Sequence, residues 1–171
     1  MKAASLAASI SIVWLLAGCA TGYQPNGLTG GFSETQLDTN VFKVSFRGNG
    51  YTSHDRVEDF VLLRSAELTL AHGFTHFAIV DGKSYENTSY MTMPTQTYST
   101  GSATVAGHTA YGSAYTTTYG GQTIAVTKPG TTDTIVAFNG KPNIPAMVYD
   151  ARFICDSLGV KYDVTCGSGN K

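Results

Sequence analysis

Residue types that do chemistry are sparse in these 171 residues. His54 and Glu58 stand four apart with Asp55 and Asp59 beside them, so one helix face would offer a metal ion two or three ligands. Carboxylates in a first helical turn also offset the positive end of the helix dipole, and that simpler reading is the stronger one. His72 and His76 flank Gly73, where a helix should end and a strand begin, and a cation at a helix C-terminus is expected on dipole grounds alone. Arg64 and Glu67, three apart, form a helical pair. Exposed, such a pair is worth under about 1 kcal/mol; buried, it acts as a specificity device with uncertain net stability. The chain has no Gly-x-Ser-x-Gly, His-Glu-x-x-His or Gly-x-x-x-x-Gly-Lys pattern and no paired zinc cysteines. The expectation is of no catalytic residue, no metal and no cofactor.

The cysteines are more specific. Met1-Lys2 precedes an apolar stretch, Ala3 to Leu16, broken only by Ser5, Ser9 and Ser11, and then Leu16-Ala17-Gly18-Cys19. About fourteen apolar residues are too few to span a bilayer as a helix, so residues 1–18 read as a secretory signal peptide. Leu-Ala-Gly-Cys matches the bacterial lipobox. Cys19 is then the mature N-terminus, carrying diacylglycerol on sulfur and an acyl chain such as palmitate on its amine. Several chains at about 0.8 kcal/mol per buried methylene make release negligible. Position 20 is Ala rather than the Asp associated with inner-membrane retention in enteric lipoproteins. That resemblance implies an outer-membrane lipoprotein, on its periplasmic or surface face. In that oxidising compartment Cys155 and Cys166 are the remaining thiols, and their separation of eleven residues lets the chain turn back and bridge. A buried free Cys155 is the alternative.

Without residues 1–18 the chain carries ten basic and twelve acidic residues and no block of Lys or Arg, so nothing implies a nucleic-acid partner. Residues 19–38, rich in Gly, Thr and Asn, read as a lipidated flexible tether, and 39–171 as one domain. Phe42, Val44 and Phe46 alternate with Lys43, Ser45 and Arg47 as in a half-buried strand. The clearest helix follows: a Thr52/Asp55 capping box, an apolar stripe of Val57, Phe60, Val61, Leu68 and Ala71 widened by Leu63 and Leu70, and Gly73 as left-handed cap. The segment "THFAIVDG" begins the next strand. "QTIAVTK" and "TDTIVAFNG" should form a hairpin about Pro129-Gly130. A second helix is expected over "IPAMVYDARFICDSLG", with Met147, Ala151, Ile154, Cys155 and Leu158 on one face and Gly159 as cap; Val160 to Val164 would add an edge strand. The class is α+β: a mostly antiparallel sheet, one long and one shorter helix packed on it, and a Thr/Tyr/Gly-rich hairpin arm.

That arm is an uncharged insertion at about 87–122. From Asn87 to Thr127 there is no Lys, Arg, Asp or Glu. Tyr111, Tyr115 and Tyr119 are four apart and so project from one face of a strand, whose partner "TQTYSTGSATV" contains Tyr98, with Gly107-His108 at the bend. A tyrosine platform would stack on glycan rings or dock an envelope protein. The tyrosines could instead cover the domain's own sheet, or the segment be loose and of low complexity.

The run from Phe32 to Gly82, with its "FRGNG" strand end and "RSAEL" helix, resembles a group of uncharacterised proteobacterial envelope lipoproteins that share a lipobox. The resemblance implies membrane anchoring through the lipid and no established activity. The function expected is a non-enzymatic binding, structural or self-assembly role in the cell envelope. Self-association enters through the arm's lack of charge and its strand propensity. The alternative is a small periplasmic hydrolase or metal-dependent enzyme, which would need Asp55, Glu58 or Asp81 to meet a histidine in a cleft.

Overall fold

Alternating apolar residues need a surface to turn toward, and the strand Val41–Arg47 (β2) supplies the centre of one. The computed structural model describes residues 19–167; the signal-peptide expectation for residues 1–18 lies outside them. The chain divides into two compact units, one containing the chain up to Asn87 and again from Thr127, the other Thr88–Val126. The α+β class holds. β1 is Gly31–Asp38, β3 His76–Thr92, β4 Gln96–Ala106, β5 Thr109–Tyr119, β6 Thr123–Phe138 and β7 Val148–Asp150; α1 is His54–Ala71 and α2 Ala151–Tyr162. A five-stranded sheet has the order β1-β2-β6-β3-β7, and β4 and β5 form a two-stranded sheet.

In the first unit β2 pairs antiparallel with β1 and β6, and β3 with β7. The register sets Phe46 against Phe32 and Thr131, Phe42 against Ile135, and Val44 against Glu34 and Asp133. One face of the sheet therefore carries Phe32, Phe42, Val44, Phe46, Ile135 and Ala137, all buried. α1 closes this face with Val57, Phe60, Val61, Leu63 and Leu68. It is buried over a wide arc, because α2 packs against it as well. Ala71, expected on the stripe, is exposed.

The helix ends obey local rules with shifted caps. Ser53, not Thr52, caps α1: its side chain accepts from Arg56 N–H, while Thr52 is buried and bonded elsewhere. At the other end Gly73 is left-handed at φ +80°. Its N–H donates to Leu70 O and that of Phe74 to Thr69 O, which is the Schellman pattern. α2 begins later than its sequence suggests. Val148 to Asp150 are taken by pairing with His76 to Ala78, so Met147 is exposed rather than on a helix face, and Asp150 caps by accepting from Phe153 N–H at 3.0 Å. The helix also runs through Gly159, where an added Cβ would lie 2.7 Å from Val164 O. The cap is left-handed Asp163, and no edge strand forms over 160–164.

Two expectations fail for larger reasons. Pro129-Gly130 does not turn the chain: β6 runs straight through it as one strand, and Gly48 N–H donates to Pro129 O just past the end of β2. A proline is tolerated there because the ladder to β2 is ending and only one donor is lost. Gly130 is covered instead by the Tyr85 ring, which lies 2.5 Å from where a Cβ would stand. Residues 19–38 are not a spacer either. Gly31–Asp38 is an edge strand, Thr21 is 2 % exposed, and the Tyr23 ring packs 4.9 Å from Phe32 and 5.3 Å from Phe60. The glycines that suggested flexibility permit close approach. At Gly31, φ +134°, a Cβ would lie 2.4 Å from Gln24 O.

Candidate functional site

Thr88–Val126, taken alone, is a ribbon. β4 and β5 pair in continuous antiparallel register from Gln96↔Tyr119 to Ala106↔Thr109, turning at Gly107-His108 as the sequence suggests. Thr104 faces Tyr111, Thr100 faces Tyr115 and Thr117 faces Tyr98. Cross-strand partners share a face, so all four tyrosines project from the same side. They are 68–74 % exposed. The opposite side carries small residues, Gly101, Ala103, Gly112 and Ala114, with hydroxyl pairs Thr97–Thr118 at 3.3 Å and Ser99–Thr116 at 3.0 Å. Both faces of these strands are exposed apart from half-buried Thr117. In a two-stranded sheet each strand is also an edge, with outward N–H and C=O groups free to template another strand.

A second arrangement lies in the first unit, between α1, β3 and β6. The register that turns Val44 and Ile135 inward also turns Asp133 inward. It lines a cleft of about 400 Å³ with Glu58, Asp59, Ser84 and Tyr149. Burial, followed by the nearby charges of Glu58 and Asp81, pushes the Asp133 carboxyl up to about 6. Ser84 Oγ donates to Glu58 Oε1 at 3.1 Å and lies 3.1 Å from Thr131 Oγ1. His54 Nδ1 is 3.6 Å from Glu58 Oε1. Asp59 accepts from Tyr162 Oη at 2.5 Å and Lys161 Nζ at 2.6 Å. A carboxyl whose pKa is raised toward neutrality, with a second carboxyl beside it, is an arrangement general acid–base chemistry uses.

Of the acids proposed for an enzyme, Glu58 reaches this cleft and Asp81 acts on it through charge; Asp55 does not line it. His72 and His76 lie elsewhere: His72 Nδ1 is 2.9 Å from Leu68 O and its ring packs at a tilt against Phe42, while His76 sits 4.0 Å from Asp150. Among the described residues no group of three His, Cys, Asp or Glu is placed to hold a metal ion. Asp133 lies within the expected strand segment "TDTIVAFNG" but was assigned no role from the sequence. The parity of Asp133, Ile135 and Ala137 was the available signal.

Arg64 and Glu67 are both buried. Arg64 donates to Glu67 Oε2 and Glu34 Oε1, each at 2.8 Å, and its guanidinium lies 4.5 Å from the Phe32 ring centre. Tyr23 Oη and Gly167 N–H also donate to Glu67. Burial works against the Arg64 charge, but the bonds to Glu34 and Glu67 outweigh it and hold its pKa above the ordinary value. Burial and then Glu67 push the Tyr23 phenol up. Every member is satisfied, so this cluster reads as a clamp that ties β1, Tyr23 and Gly167 to α1 rather than as a reactive centre. Cys155 and Cys166 are bridged, their Cα atoms 5.6 Å apart, and the bridge holds the tail that brings Gly167 to Glu67. Cys19 is free and exposed; its carbonyl accepts from Asn49 Nδ2 at 2.8 Å.

Among the described residues no helix is long and apolar enough to cross a membrane. No family model, no curated protein and no solved structure matches the chain.

Proposed function

We propose that the protein is an outer-membrane lipoprotein of the bacterial envelope, anchored through acylated Cys19, whose role is non-enzymatic assembly with further copies of itself through the β4–β5 ribbon. The observation that carries this reading is the ribbon itself: two uncharged eleven-residue strands, exposed on both faces and along both edges, with four tyrosines on one side. An isolated two-stranded ribbon is marginal in water, and added strands are what stabilise it. A neutral surface carries no charge to repel its own copy, and tyrosine supplies large contact area at low entropic cost. The lipobox and the resemblance to envelope lipoproteins support the location.

The test is the assembly state of the lipidated protein in membranes and after gentle extraction, read by electron microscopy. One variant replaces Gln96–Tyr119 with a short turn; another, Thr104→Lys with Ser113→Lys, keeps the strands but charges them. Ordered oligomers that both variants abolish are expected. A wild-type protein that stays monomeric at envelope concentrations overturns the reading.

A second reading, a small periplasmic hydrolase, draws on one observation, the Asp133 carboxyl raised to about 6 beside Glu58 in a cleft. It ranks lower because the Ser84 hydroxyl has the Glu58 carboxylate as its base partner and no histidine lines the cleft to take up and relay its proton.

A further inference from the structure

We infer that the face around Cys19 lies directly on the lipid surface, with Leu28 and Tyr51 entering the bilayer interface and Arg47 and Lys128 set against lipid phosphates. This rests on the reading of Cys19 as the lipid attachment site. A spacer of about nineteen flexible residues would let the body wander some 25 Å from its anchor. The structure removes that slack. Asn49 holds the Cys19 carbonyl, and two residues later Thr21 is pinned on three sides. Its N–H donates to Thr52 Oγ1 at 2.9 Å, its hydroxyl donates to Thr29 O at 2.6 Å, and that hydroxyl accepts from Asn49 N–H at 3.0 Å. Lipid on the Cys19 sulfur therefore brings whatever surrounds Thr21 within a few ångströms of the headgroups.

What surrounds Thr21 suits that place. Leu28 precedes Thr29 at the tip of a tight turn closed by reciprocal Gly27–Gly30 backbone bonds, and its side chain is fully exposed. Tyr51 sits between Gly50 and Thr52, its N–H donating to Asn49 Oδ1 at 2.9 Å, and is 78 % exposed. An exposed leucine and an exposed tyrosine, each on a turn bonded to Thr21 or its partners, cost solvation in water but are favoured at a membrane interface. Leu28 shares a shallow cleft with Arg47 and Lys128. Both cations are exposed, and neither joins an ion pair among the described residues. Long basic side chains beside an apolar tip are suited to reach phosphate oxygens.

The test uses the lipidated full-length protein in vesicles. The sole tryptophan is Trp14, in the segment removed with the signal peptide, so Leu28→Trp and Tyr51→Trp each create a single reporter. Exposed Val160 on α2, as Val160→Trp, serves as the comparison. With lipids brominated near the headgroup, at least twofold quenching is expected for positions 28 and 51 and little for 160. Position 28 should be quenched more in vesicles containing phosphatidylglycerol than in pure phosphatidylcholine, and Arg47→Gln with Lys128→Gln should erase that difference. The mass of the mature chain separates the two readings. Acylated Cys19 without quenching at 28 and 51 overturns the inference and leaves the anchor standing, whereas an unmodified Cys19 overturns both. Equal quenching in the two lipid compositions removes the cations from the face.

Discussion

Asp133→Asn should stabilise this protein at neutral pH. Asp133 stands opposite Val44 on the face of the sheet that α1 covers, and Gly82 of β3 is close enough that a Cβ there would lie 3.1 Å from its Oδ1. An ionised carboxylate here faces Glu58 and Asp81 and gives up part of its hydration, which is why its pKa is about 6 instead of 3.8. Such a gap would cost the ionised fold about 3 kcal/mol. The cleft is open to water, so screening reduces this to roughly 1.5 kcal/mol. The sign follows from proton linkage. The folded chain holds the proton more tightly than the unfolded chain, so the favourable contribution is complete below about 3.8 and is lost as pH rises through about 6. Asparagine has nearly the same shape and no charge. Urea unfolding of both proteins between pH 4 and 8 should give coincident curves near pH 4 and a gain of about 1.5 kcal/mol for Asp133→Asn above pH 7, a rise of about 3–6 °C in Tm. An Asn variant less stable than wild type at pH 7.5, or a difference that does not change with pH, would show that the carboxylate is well held when charged and would refute the reasoning.

The buried cluster predicts a large loss of the opposite sign. Arg64→Met leaves Glu67 without its counter-charge in a fully buried site, and should cost about 3–5 kcal/mol in denaturant unfolding, much of it recovered by adding Glu67→Met; a loss below about 1 kcal/mol would mean that water reaches the carboxylate. The Cys155–Cys166 bridge closes a short loop, so Cys155→Ser with Cys166→Ser should lower stability by about 2–3 kcal/mol, and equal thiol counts with and without reductant in the denatured protein would exclude the bridge.

What could be read from the chain was what neighbours in sequence decide. β2 announced itself by alternation, α1 by its stripe and Gly73, and the ribbon by tyrosine spacing and a two-residue bend. The misreadings share a cause, which is that distant partners decide. Residues 20–38 look loose because their Gly, Thr and Asn are judged locally. Order comes instead from Tyr23 and Phe32 packing on the core and from Glu34 reaching Arg64 thirty residues away. Pro129-Gly130 has every local mark of a turn, yet the strand continues because β2 pairs with it up to Arg47 and Tyr85 fills the space over the glycine. The start of α2 was misplaced because Val148 to Asp150 have strand partners on β3 that no periodicity reveals.

Two local rules are broken without compensation from packing, and both breaks fall where function was sought. An acid is turned onto the covered face of a core strand, and two exposed strands carry none of the lysines, prolines or inward charges that ordinarily guard an edge. Thr and Ser dominate the ribbon, where an aggregating segment would be rich in Val and Ile. Hydroxyl rows hydrate well while a strand is alone and leave its backbone groups available when a second strand arrives. A ribbon built this way avoids indiscriminate hydrophobic collapse and still keeps the capacity for ordered pairing. An unguarded edge that were only a by-product of an insertion would have no reason to combine that restraint with a single-sided row of tyrosines, and the combination favours assembly as its role.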